Sequence, residues 1–424
     1  MRNKRLDVLR CVAVLLVLFR HVGIPFRIVN PGWVGVDLFF VLSGFLISGL
    51  LFSEYKQCHT ISFKRFFVRR GFKIYPAFYV FLFLTSIVQT TFHNRGSVQQ
   101  FISEILYIQN YSVGLWRHTW SLAVEEHFYI LLPIFLLFLI RYSSNRTDPF
   151  RGIPLAFFVV ATTCLAFRIV TVARIPLSNL QEWSAYRAVL TPTHERIDSL
   201  FFGVLLGYFH HFRPAFFEKL LASTRNRLTL ALLAVVLICP VLVLAPENCF
   251  TLTAGLSMLY VGFGIILVLC LHVHDVLPGG IAMLLGRVGS GFAFVGMYSY
   301  SIYLWHDCVL PWGPGLVRRV FHVQVKGPFL FLFYFLVSVI LGILMSRSIE
   351  YPALRLRDRL FPALQSPVAV KTPPPQLPTF WARLWPVIVE LWIAGILATF
   401  FIVRILGSQT GQRILGGLLH HTRP

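Results

Sequence analysis

The chain has 424 residues, of which 56% are hydrophobic and 13% charged, with a mean hydropathy of +0.71. So much apolar surface excludes a soluble multidomain enzyme, and equally a disordered or fibrous chain. What remains is a polytopic membrane protein: at roughly 20 residues per spanning helix there is room for about ten or eleven spans and no large soluble domain. The net charge of +21, from 38 basic and 17 acidic residues, would suggest nucleic acid in a soluble chain. In a membrane chain it reads as basic residues crowding the cytoplasmic loops, so no nucleic-acid partner is expected.

The apolar runs fall near 6–23, 36–53, 73–91, 122–140, 153–171, 197–212, 229–246, 251–272, 291–310, 328–346 and 387–407. The first leads straight into further spans and reads as a retained helix, not a cleaved signal. The basic start, Met1 to Arg5, puts the N-terminus in the cytoplasm. Alternation then places the basic loops 54–72, 141–152 and 213–228, and the stretch after Met345, inside; only the outer loop with Arg318, Arg319 and Lys326 runs against the trend. Six prolines within 362–378 make a stiff, extended linker. The expected fold is therefore all-α: a polytopic transmembrane helical bundle with a ten-helix body (1–360), a Pro-rich linker (361–385), and one extra C-terminal helix with its tail (386–424). The seven cysteines are scattered without a CxxC pair, which indicates neither a disulfide framework nor a zinc site.

A charged side chain near the bilayer centre costs roughly 2.5–3.5 kcal/mol, so its presence needs a reason. In the first helix Arg10 and His21 are eleven residues apart, within roughly 20° of one face and three turns from each other. Each has an ordinary reading beside a functional one, Arg10 as a snorkelling cation and His21 as an interfacial cap. On the second helix Asp37 and Ser43 lie among glycines that also suit close packing. Arg69, Arg70 and Lys73 precede the third helix as a topology anchor or as a site for an anionic ligand. The fourth run opens with Trp120-Ser121, then Glu125, Glu126 and His127. Ser121 is the expected cap, and three ionisable groups in a row exceed what a cap needs, so part of this group must face the bundle interior. Arg196 and Asp198 open the sixth run, as an interfacial ion pair or a site. Ser299 to Asp307, with His306, suits an aromatic belt as well as a site.

Together these segments resemble the acyltransferase-3 family of integral membrane O-acyltransferases. The motifs that carry the resemblance are Leu6-Asp7 with Arg10 and His21, Gly35 to Phe45, Arg69-Arg70 before Tyr75-Pro76, Trp120 to Tyr129, Arg196-Ile197-Asp198 before Gly203, and Ser299 to His306. The match runs over roughly 6–352. Lys73 stands where the family commonly has Arg, and His127 where it commonly has Gln. Only the linker and one helix follow the body, so the family variant with a C-terminal hydrolase-like domain is not expected.

The resemblance implies an acyl donor, acetyl-CoA by expectation, approaching from the cytoplasm, and a hydroxyl acceptor such as a glycan on the far side of a bacterial inner membrane. His21 suits the general base. Arg10, about 16 Å away along the helix, suits the donor's inner end, and Glu125 would orient His21 or hold acceptor hydroxyls. Arg69, Arg70 and Lys73 would bind the donor, and Asp37, Ser43, Glu126, Arg196, Asp198 and His306 the substrate. No metal is expected, and no GxSxG elbow suggests a serine esterase. The rival class is a transporter or flippase of a lipid-linked sugar or small metabolite, which buried ionisable groups suit equally; a cytoplasmic phosphate site is what would separate the two. Polysaccharide, lipid-linked glycan, peptidoglycan and small metabolites all remain open as acceptors, and oligomeric state is not legible.

Overall fold

The computed structural model describes residues 3–21, 32–93, 97–175, 183–272 and 289–362. The linker and the apolar run at 387–407 lie outside the described residues. Among those described there are helices and no strand.

In chain order the helices are α1 (Lys4–His21), α2 (Gly35–Cys58), α3 (Phe63–His93), α4 (Val98–Ile105), α5 (Trp120–Tyr142), α6 (Ile153–Arg174), α7 (Trp183–Leu190), α8 (Thr193–Phe212), α9 (Pro214–Leu221), α10 (Thr224–Val243), α11 (Leu256–His272), α12 (Ser299–Trp305), α13 (Val309–Phe321), α14 (Pro328–Met345) and α15 (Tyr351–Leu360). All ten apolar runs expected in the body are helical. Among the described residues, seven helices are long and apolar enough to cross a membrane: α2, α3, α5, α6, α10, α11, and α14 continuing into α15. The protein is thus an all-α, multi-pass membrane bundle. α1 and α8 fall outside that seven, and both carry charged residues within the helix: Asp7 and Arg10 in α1, Glu195, Arg196 and Asp198 in α8.

The chain divides into two compact units. The first comprises residues 1–307 with 339–362, and the second includes 308–338. The second thus falls inside the stretch assigned to one body from sequence. It holds α13, which ends at His322 in the left-handed region, φ 57°, and the start of α14.

The first unit is built around α2, which buries residues on nearly every face. Two glycines explain how closely α8 approaches it. A Cβ on Gly44 would fall 1.9 Å from the Leu200 carbonyl oxygen, and one on Gly203 would fall 2.3 Å from that of Val41. The two backbones therefore touch, as small residues allow between membrane helices. α2 stops at His59, whose left-handed conformation (φ 53°) turns its N–H back onto the Tyr55 carbonyl. The 31-residue α3 is long for a simple span, and its first turns carry Arg65, Arg69 and Arg70.

Two local details depart from the sequence expectation. α5 is entered through a 3-10 turn, Arg117–Thr119, and its cap position is Thr119. Ser121 instead hydrogen-bonds the Tyr303 hydroxyl at 2.6 Å. The connection from α4 to α5 is also ordered: Ser97 and Gln100 form a capping box on α4, and Asn110 bonds Thr193 at 2.9 Å, tying the connection to the start of α8.

Candidate functional site

Five of the residues singled out by motif line one cleft. Arg10 of α1, Ser43 of α2, Arg70 and Lys73 of α3, and Glu125 of α5 surround about 830 Å³ of empty space, part of it open to solvent. Tyr300 and Tyr303 of α12 close another wall, and Phe39, Leu46 and Ile47 supply apolar surface. The cations are held in place. Arg10 pairs with the buried Asp7 at 3.1 Å. Arg70 lies 4.0 Å over the Tyr129 ring and 3.8 Å from Glu125. The Tyr129 hydroxyl donates to Glu125 and is shared with Ser43. Three cations beside one carboxylate and a set of hydroxyls make a cleft chemically suited to an anionic ligand with an apolar arm.

Arg69 and Arg70, adjacent in sequence, part company because neighbours on a helix point about 100° apart. Arg69 donates to the Phe361 carbonyl and pairs with Asp358 at 3.2 Å. It secures the C-terminal end of the first unit and does not line the cleft. Of the three cations expected to bind the donor, Arg70 and Lys73 line the cleft together with Arg10, and Arg69 does not. Glu126 accepts from Tyr75 at 3.1 Å and is not part of the lining.

His21 lies outside the cleft lining, in a second cluster. Its Nδ1 bonds the Val17 carbonyl at 2.9 Å. Its ring centroid is 4.8 Å from that of His306, which is in turn 4.9 Å from that of His118. His118 bonds Asp307 at 3.1 Å and the Leu304 carbonyl at 3.2 Å. Tyr303 joins cluster to cleft: it lines the cleft, its hydroxyl donates to the His118 carbonyl at 2.8 Å, and its own carbonyl receives His306 Nδ1. Glu125, expected to orient His21 or to hold acceptor hydroxyls, bonds Tyr129 and pairs with Arg70, while His306 and Asp307 lie beside His21. These three offer ligand atoms all within 4.8 Å of one another, a grouping that no sequence spacing revealed.

Asp37, Arg196 and Asp198 are placed elsewhere again. Arg196 pairs with Asp37 at 2.7 Å, and Arg168 with Asp198 at 2.8 Å, all four essentially inaccessible to solvent. Arg168 also donates to Ser257 and to the Glu195 carbonyl. This network joins α2, α6 and α8, and none of its four residues lines the cleft. Removing one partner would leave a buried charge uncompensated, at a cost of about 3–5 kcal/mol. His127 also gains a position: its Nδ1 bonds Thr193 at 2.7 Å, and its ring stacks on Tyr111. It fastens α5 to the start of α8.

Sequence reasoning missed Arg168 and His118, and gave Asp307 no role of its own although it closes the Ser299 to Asp307 segment. Arg168 sits near the end of an apolar run, where a basic residue reads as an anchor. His118 flanks a recognised motif, Trp120-Ser121, and that adjacency was the available signal.

A family described as an acyltransferase domain, Acyl_transf_3, matches residues 3–347. The O-acetyltransferase OatA of Staphylococcus aureus is 26% identical over 374 residues, covering 82% of this chain and 56% of that protein. The peptidoglycan O-acetyltransferase OatA of Listeria monocytogenes is 33% identical over 160 residues, covering 33% of this chain and 25% of that protein. A putative peptidoglycan O-acetyltransferase of Bacillus subtilis, YrhL, is 36% identical over 152 residues, covering 31% and 23%. The chain thus spans little more than half the length of the first of these relatives. No solved structure matches.

Proposed function

Since the chain belongs to the acyltransferase-3 family, we propose that it is a membrane O-acyltransferase that moves an acetyl group from cytoplasmic acetyl-CoA to a hydroxyl of an extracytoplasmic glycan, in a bacterial inner membrane. Relatives named as peptidoglycan O-acetyltransferases favour a cell-wall glycan as acceptor. The observation that carries the reading is the shared cleft. Arg10, Arg70 and Lys73 meet Ser43 and Glu125 around one space, and the helix that brings Arg10 there holds His21 about 16 Å further along.

The geometry suits the chemistry as follows. The Val17 carbonyl can only accept, so His21 Nδ1 carries the hydrogen and the neutral ring keeps its lone pair on Nε2. That lone pair takes the proton of the acceptor hydroxyl. The oxygen forms a bond to the thioester carbonyl carbon, the carbon–sulfur bond breaks, and the proton passes to the thiolate. Arg10, Arg70 and Lys73 hold the anionic part of the donor at the other end of a long arm. Asp37, Arg196, Asp198 and Arg168 act on this site by fixing the helices that form it.

The test is acetyl transfer by purified protein in proteoliposomes. His21→Gln is expected to lower turnover about 100-fold or more while the protein stays folded and inserted. Near wild-type turnover in that variant would sink the base assignment. Movement of intact glycan with no acetyl ester formed would favour a transporter.

A further inference from the structure

We propose that His21, His306 and Asp307 form a binding site for a divalent transition cation of the zinc class, and that its occupation blocks the general base. The site stands on three observations about one small volume. The ligand atoms of the three side chains lie within 4.8 Å of one another. Both imidazoles have the same tautomer imposed on them, His21 by the Val17 carbonyl at 2.9 Å and His306 by the Tyr303 carbonyl at 2.5 Å. A carbonyl only accepts, so each Nδ1 carries its hydrogen and each neutral ring offers an Nε2 lone pair. His306 is fully buried, and its Nε2 has no hydrogen-bond partner among the described residues. The fold therefore holds an acceptor atom away from water, next to a second acceptor and a carboxylate, with no donor among the described residues to satisfy it.

A cation completes such a set. Imidazole nitrogen and carboxylate oxygen are the ligands zinc takes, at about 2.0–2.2 Å. Tetrahedral geometry at those lengths needs ligand atoms about 3.3 Å apart, so the three must draw together by about 1.5 Å or less. His21 and Asp307 are only partly buried and can supply that movement. The outer partners are also in place: a carbonyl on each imidazole N–H, and His118 on one oxygen of Asp307. Three protein ligands leave a fourth position to water. Soft and borderline cations suit this set, whereas magnesium and calcium prefer all-oxygen shells.

A cation on His21 Nε2 occupies the lone pair that accepts the proton. Bound metal and base function then exclude each other, and the cation acts as a reversible inhibitor. This consequence rests on the acyl-transfer reading; the binding itself does not.

The test uses the full chain in nanodiscs after chelator treatment. Co2+ is titrated and followed by its visible absorption, with Zn2+ as competitor. One equivalent of Co2+ should bind and be displaced by Zn2+ but not by Mg2+ or Ca2+. His306→Gln and Asp307→Asn, each checked for an unchanged melting temperature, should weaken that binding at least tenfold. Two variants are used because removing buried His306 risks the fold, and the more exposed Asp307 does not carry the same risk. Affinity unchanged in both variants would assign the metal to other histidines of the chain and overturn the proposal, as would no binding at all. In the transfer assay, the chelated enzyme should be active, and Zn2+ should suppress it reversibly. Metal bound at this site with transfer unaffected would leave the site standing and remove His21 as base.

Discussion

Glu104 lies at the end of α4, outside the spans, with its carboxyl wholly buried. It accepts from Thr119 at 2.8 Å and from the Trp116 N–H at 3.2 Å, yet burial dominates and pushes it from an ordinary 4.5 up to about 7. The folded state thus keeps a proton that the unfolded chain has already released. Its contribution to stability is fully present below about pH 4.5 and is lost as the pH rises through about 7, up to about 3 kcal/mol in all. We expect the detergent-solubilised protein to melt higher at pH 5 than at pH 8, and Glu104→Gln to shrink that difference. The two neighbouring arginines give a second contrast at this scale. Arg70→Ala should raise the KM for a CoA donor about tenfold or more, with a smaller effect on a pantetheine thioester that lacks the nucleotide. Arg69→Ala, which loses a partly exposed pair with Asp358, should change KM little and stability by about 1 kcal/mol or less. Equal effects of Arg70→Ala on both donors would show that it does not read phosphates.

Among the elements, the α2–α8 seam decides most about the site. It holds Ser43 at the cleft while fixing Asp37 against Arg196. Gly203→Ala would drive a methyl into the Val41 carbonyl, and we expect a loss of about 1–3 kcal/mol, read as a lower melting temperature. The cleft itself was legible residue by residue, because Arg10, Ser43, Arg70, Lys73 and Glu125 each belong to a motif. Their pairings were not legible, since contacts between distant segments are set by how helices pack. Hydropathy also misplaced the start of α8. The run begins at 197, but the helix begins at Thr193, because its first turns are buried charges satisfied by Arg168 and Asp37. The same blindness hid Arg168, whose partners arrive from another helix.

For the whole molecule, the all-α membrane bundle was legible from composition and ten apolar runs, since a spanning segment must satisfy its own backbone. The short helices α4, α7 and α9 were not, being too brief for periodicity to declare them. The division that sets 308–338 apart depends on contacts and not on composition. Every cleft and cluster residue lies between Arg10 and Asp307. Truncation after Ser366 is therefore expected to leave measurable acetyl transfer in proteoliposomes. Complete loss with normal insertion would show that the C-terminal segment contributes to the site.

The buried ion pairs also bear on how the chain is made. Asp37 enters the membrane with α2, but its partner Arg196 follows 159 residues later. At a synthesis rate of about 5–20 residues per second, the carboxylate waits roughly 8–30 s for its cation. Meanwhile it sits in a helix otherwise apolar enough to be released into lipid. α8, with its own charges, is a poor candidate for independent insertion. Retention of α2 beside the nascent chain until α8 arrives would let the two charges enter the bilayer as a neutral pair and avoid the cost of an unpaired one.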